Sequence, residues 1–131
     1  MTRSFNRQVW AGRAAWIWAL LLLVACLLPS EEVPQVKVPF ADKWVHFLLF
    51  GSQTFLALAA LKRPTRGHIA AITLLCALLG VGIELLQLAT HRWLHRAYET
   101  MDIVADVVGV LLGLCLFLIF RKYFFKPASN R

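Results

Sequence analysis

A chain of 131 residues has room for one domain. Being 60% hydrophobic and only 16% charged, with a mean hydropathy of +0.66, it is unlike a soluble domain, in which about a quarter of residues are charged. The net charge of +7 sits at the ends of apolar blocks and not on a basic stripe or an aromatic platform, which argues against a nucleic-acid partner and for membrane orientation.

In chain order, residues 1–13 form a basic segment with Arg3, Arg7 and Arg13, followed by a first apolar run over 14–28 with Trp10, Trp16 and Trp18 grouped at its start as an interfacial belt. The run is short for a span unless Arg13 snorkels to the headgroups. Leu23-Val24-Ala25-Cys26 resembles a lipoprotein cleavage site, but Leu27 and Leu28 prolong the run and further spans follow, so a retained helix is the expectation. Residues 29–41, with Pro29, Pro34 and Pro39, read as an extended, acidic external loop.

A second span is expected over 42–61, a basic turn at 62–66, a third span over 69–90 and a fourth over 103–120. A basic tail over 121–131 closes the chain. Cys26, Cys76 and Cys115 stand singly inside the apolar runs and read as small hydrophobes, not as a disulfide framework or a zinc site. Ten of the 14 Lys and Arg residues lie in the N-terminal segment, the 62–66 turn and the tail. The positive-inside rule therefore puts both termini in the cytoplasm and the 29–43 and 91–101 loops outside. The fold class expected is an all-α, integral membrane four-helix bundle, its membrane domain spanning residues 14–120.

Polar residues interrupt this pattern at chosen places. Glu84 lies in the third run, where a carboxylate costs roughly 2.5–3.5 kcal/mol on insertion scales. Gly80, Glu84, Gln87 and His91 share one helical face, and Asp102, Asp106, Gly109 and Gly113 share another. Asp42, Lys43 and His46 open the second span. Counted from the helix ends, His46, Glu84 or Gln87, and Asp106 reach similar depths in the outer half of the membrane, with Arg92 and Arg96 above them. Two readings follow. The groups form a structural polar knot, or they line an outward-facing cleft in which His46, Glu84, Asp102 and Asp106 are the candidates for acid–base chemistry. Asp42, Lys43, Gln87, Arg92 and Arg96 complete its ligand-binding lining. The ligands come singly, without an i, i+4 histidine pair, so no metal and no cofactor is expected. His68 and His95 read as solvated loop residues.

Four motifs carry a resemblance: Asp42-Lys43-x-x-His46-Phe47, Ile83-Glu84-x-x-Gln87, Arg96-x-x-Glu99-x-x-Asp102-Ile103, and Asp106-x-x-Gly109-x-x-x-Gly113. Over about residues 40–115 the chain resembles the VanZ-like family of small bacterial membrane proteins. It departs from the family at Asp106, where Asn is usual. The resemblance implies a bacterial inner membrane and a cell-envelope role, the family being named for a protein linked to resistance to the glycopeptide teicoplanin; it supplies no mechanism.

The functional expectation is binding of, or action on, a membrane lipid or a lipid-linked envelope precursor, with Arg92 and Arg96 holding an anionic headgroup. A proton- or ion-coupled carrier using Glu84 and Asp106 is the alternative. A third reading is a structural partner docking another membrane protein through the small-residue seam of Ala105, Gly109 and Gly113.

Overall fold

Four apolar runs without internal proline can each close an uninterrupted helical hydrogen-bond ladder, which is what a bilayer demands of a spanning segment. The computed structural model describes residues 2–33, 36–62, 64–95 and 98–125. Among them it has four α-helices and no strand: α1 (Thr2–Leu27), α2 (Ala41–Ala59), α3 (Arg66–Leu94) and α4 (Thr100–Phe124). Pro34, Arg63, Arg96, Lys126 and Arg131 lie outside the described residues.

The helix ends follow local chemistry. The basic segment does not stand apart from the first span but is its N-terminal half, since nothing before Pro29 breaks the helix. α1 passes without a break through Cys26, whose side chain is buried, and stops two residues short of Pro29. The connection after it is not wholly extended: Ser30–Glu32 make one 3-10 turn, closed by the Glu32 N–H donating to the Pro29 carbonyl at 3.0 Å. Proline starts such a turn readily because its missing N–H is not needed there. α3 begins with a capping box, the Thr65 hydroxyl accepting from the His68 N–H at 3.2 Å while His68 Nδ1 accepts from the Thr65 N–H at 3.4 Å. His68 is therefore a helix cap as well as a solvated residue. α3 runs four residues past the expected 90 and ends at His95, which is left-handed at φ 50°.

Three of the helices, over Asn6–Leu27, Arg66–Leu94 and Thr100–Tyr123, are long and apolar enough to cross a membrane. α2 is the exception, with 19 residues that include Asp42, Lys43, His46, Ser52, Gln53 and Thr54. It can afford this polarity because it packs against all three other helices and buries His46, Gln53 and Thr54 among them. Leucines such as Leu20, Leu74, Leu78, Leu85 and Leu111 stay more than half exposed, a surface suited to lipid and not to water.

α2 and α4 approach most closely. A Cβ added at Gly109 would fall within 3.0 Å of the Phe47 carbonyl oxygen, and one at Gly113 within 3.0 Å of both the Gly51 oxygen and Thr54 Cβ. The small-residue seam read as a docking face for another protein is thus taken up by α2 of the same chain at Gly109 and Gly113. Close backbone approach gains dispersion contact, the main source of helix association where no water is expelled. Behind the seam, Leu22, Cys26, Phe50, Cys76, Ile83 and Val110 form one buried cluster, and Ala11, Leu58, Ala59 and Phe117 a second.

The up-and-down order separates charge. At one end, Arg7 donates to the Tyr123 carbonyl at 2.6 Å and Gln8 to the Lys62 carbonyl at 3.5 Å, so the basic stretches around Arg7, Lys62 and Arg121 meet. At the other end lie all seven of the chain's carboxylates, Glu31 and Glu32 in the turn after α1 and the other five on or beside α2, α3 and α4.

Candidate functional site

Each helix brings its polar residues to the acidic end by ordinary 3.6-residue geometry. Asp42, Lys43 and His46 occupy the first turns of α2, Glu84 the middle of α3, and Glu99, Asp102 and Asp106 the first turns of α4 and the residue before it. The Lys43 ammonium is shared by three carboxylates: it lies 2.5 Å from Asp42 Oδ2, 2.9 Å from Asp102 Oδ1, and also pairs with Glu99 Oε2. Below it His46 Nδ1 meets Asp106 Oδ1 at 2.9 Å, and His46 Nε2 faces Asp102 Oδ2 at 3.8 Å. Glu84 Oε2 accepts the Glu99 backbone N–H at 3.1 Å, one of the donors a helix N-terminus leaves without an internal partner.

Exposure is graded. Asp42 and Glu99 reach the surface, Lys43 is half-buried, Asp102 and His46 are buried, and Glu84 and Asp106 are fully buried. Four atoms of this buried layer have no hydrogen-bond partner among the described residues, His46 Nε2, Glu84 Oε1, Asp106 Oδ2 and Asp102 Oδ1, the last of which is ion-paired with Lys43 at 2.9 Å. Asp106 fits only because residue 80 is glycine, since a Cβ there would stand 2.6 Å from Asp106 Oδ2.

The chemistry follows from the acceptor inventory. With Asp106 ionised, its carboxylate accepts a hydrogen bond from the His46 Nδ1–H, and the neutral imidazole then carries its lone pair on Nε2. That arrangement makes His46 a base or a ligand, oriented by Asp106 and stacked over Phe50 with ring centroids 6.3 Å apart.

The family model VanZ/LLP1 matches residues 6–121, nearly the whole described chain. The chain belongs to the VanZ/LLP1 family. An uncharacterized protein of Schizosaccharomyces pombe is similar, 28% identical over 107 residues that cover 81% of this chain. The chain spans 63% of that relative's length. No solved structure matches. Family membership and the three apolar helices together make this a membrane protein.

Of the residues singled out from sequence in this VanZ/LLP1 chain, Asp42, Lys43, His46, Glu84, Asp102 and Asp106 come together. Gln87 shares the face of Glu84 and is equally buried, but its Nε2 donates to the Cys26 carbonyl at 2.6 Å, so it ties α3 to α1. Arg92 is exposed at the end of α3, and Arg96 lies outside the described residues. His91, on the same face as Glu84, is exposed. His95 ends α3 and pairs with Glu31 at 3.2 Å, a role beyond the solvated loop residue expected. Two participants were missing from the sequence-derived site. Glu99 stood in the third motif, and its i, i+3 spacing to Asp102 was the available signal. Gly80 was placed on the right face, but that its missing Cβ makes room for Asp106 depends on how α3 meets α4.

Proposed function

We propose that this protein binds the headgroup of a membrane lipid or of a lipid-linked envelope precursor at the acidic end of the bundle, with His46, held by Asp106, as its acid–base group. The observation that carries this reading is the continuous polar column from exposed Asp42 and Glu99, through Lys43, to fully buried Glu84 and Asp106. Packing alone gives no reason for it, because each added buried ionisable group is costly to desolvate.

Two further features support a lipid. Phe40, Trp44 and Trp93 are strongly exposed around the same end, as suits an aromatic belt at the headgroup level. An apolar groove of about 480 Å³ starts at Phe47, next to His46, and continues past Gly51 and Leu112 to Phe120. An acyl chain lying in it would present its headgroup to the column. Arg92, exposed at the end of α3, and Lys43, which would exchange a carboxylate for the phosphate, are the cations this reading uses.

In this reading the basic end faces the cytoplasm and the acidic end the outer leaflet, as the distribution of Lys and Arg favours, in a bacterial inner membrane with a role in the cell envelope. Lipid titration of the purified full chain in detergent tests it. Phosphatidylglycerol should bind more tightly than phosphatidylcholine in the parent, and the difference should shrink in Lys43→Ala. Equal affinity of both lipids would refute the headgroup reading.

A further inference from the structure

The polar cluster at the acidic end holds more carboxylates than basic groups. Asp42, Glu84, Glu99, Asp102 and Asp106 converge in it around the ammonium of Lys43 and the imidazole of His46. Lys43 is committed at the outer side, on Asp42, Glu99 and Asp102 Oδ1. Beneath it one donor atom each from His46, Glu84 and Asp102 lies within 4.8 Å of the other two. All three residues are more than nine-tenths buried. His46 Nε2 and Glu84 Oε1 also lack any hydrogen-bond partner among the described residues. Buried polar atoms left without partners are costly, and their clustering calls for an occupant that accepts lone pairs.

We propose that His46 Nε2, Glu84 and Asp102 bind a divalent first-row cation, of which Zn²⁺ and Mn²⁺ fit the donor set. An imidazole nitrogen with two carboxylates suits such ions better than Ca²⁺ or Mg²⁺, which prefer all-oxygen shells. Three protein ligands leave a coordination position open for water or another oxygen donor. Asp106 is the positioning residue. Its bond to His46 Nδ1 fixes the ring so that Nε2 carries the lone pair, the usual carboxylate support of a metal-binding histidine. Asp102 serves both sides, giving Oδ1 to Lys43 and turning Oδ2 toward His46. The sequence had pointed away from a metal because its ligands come singly, but three helices supply them jointly.

With Nε2 given to the cation, His46 no longer serves as the acid–base group of the headgroup reading; this site stands on the cluster geometry and not on that reading, so it is tested with the metal alone. The chelator-stripped full chain in detergent is titrated with Zn²⁺ and, separately, Mn²⁺, by calorimetry and by elemental analysis after desalting. The parent should bind one equivalent, with Co²⁺ substitution giving a visible d–d spectrum. Glu84→Gln and His46→Ala should abolish binding, and Asp106→Asn, which keeps an oxygen acceptor for the Nδ1–H, should retain it about 10–100-fold weaker. His91→Ala combined with His95→Ala should leave it unchanged. Circular dichroism and monodisperse gel filtration establish that each variant is folded. If His46→Ala fails to fold, Glu84→Gln and Asp102→Asn decide. Absence of binding in the parent, unchanged binding in Glu84→Gln, or loss in the His91/His95 pair would each overturn the assignment. Phosphatidylglycerol preference with no metal uptake would leave the headgroup reading standing and this one refuted.

Discussion

Gly109→Ala should part α2 from α4. The new Cβ would lie within 3.0 Å of the Phe47 carbonyl oxygen, where ordinary contact needs 3.4–4 Å. That oxygen belongs to helix backbone and cannot swing aside as a side-chain tip could. The helices must therefore separate by about 1 Å, and a gap of that size forfeits a quarter to a half of each dispersion contact along the seam. Contacts around Gly51, Gly109 and Gly113 are all affected, and overpacking of this kind costs about 1–3 kcal/mol. Gly82 provides the matched control, since a Cβ there meets nothing within 4 Å. Gly82→Ala should thus gain the helix-propensity difference, about 0.8–1 kcal/mol. Reversible unfolding in mixed detergent and SDS micelles measures both. The two alanine variants should move in opposite directions; equal stability for Gly109→Ala and Gly82→Ala would refute the seam as described.

Gly80→Ala should disturb both the site and the packing of α3 on α4, because its Cβ would press on Asp106 Oδ2 at 2.6 Å and on Asp106 Cβ at 3.0 Å, in a fully buried side chain. The His46–Asp106 pair should loosen, read as an altered His46 imidazole NMR shift with a lowered melting temperature. Glu84→Gln should leave stability at or above that of the parent, since the amide oxygen can still accept the Glu99 N–H, Oε1 has no partner to lose, and a fully buried carboxyl gives way to a neutral amide. A loss of several kcal/mol in the same unfolding assay would instead mark Glu84 as a structural charge. Gln87→Leu should cost about 0.6–1.7 kcal/mol, the range for an interhelical hydrogen bond in a membrane, through the lost tie to the Cys26 carbonyl at 2.6 Å; no change on unfolding would show that bond to be unimportant. Thr65→Ala should cost about 1 kcal/mol by removing a helix cap, with faster amide exchange confined to the first turn of α3.

Much of this architecture was legible in the chain because it follows from short-range rules. Apolar length marked the runs, and proline marked the stop of α1. The i, i+4 and i, i+7 spacings put Gly80, Glu84 and Gln87 on one buried face, and Asp102, Asp106, Gly109 and Gly113 on another. Counting depths from the helix ends brought His46 level with Asp106, and the two meet at 2.9 Å. The helix ends were less legible. Basic residues look like a flanking segment in sequence, yet nothing in residues 2–13 prevents α1 from continuing through them.

What tertiary structure decided is the use each polar group is put to. Gln87 and Glu84 are three residues apart on one face, but one meets the Cys26 carbonyl of α1 and the other the N–H of Glu99, the residue before α4, because the neighbouring element differs at each height. The small residues of α4 could have met any surface; the close approach of α2 claimed Gly109 and Gly113. His46, Glu84 and Asp102 come from three helices and stand 38 and 18 positions apart, so depth counting could gather them into one layer but no local spacing could announce them as ligands of one ion. Sequence fixes which face of a helix a side chain occupies, through covalent geometry repeated every 3.6 residues. Which faces meet depends on packing summed over the whole bundle, and only the folded chain expresses it.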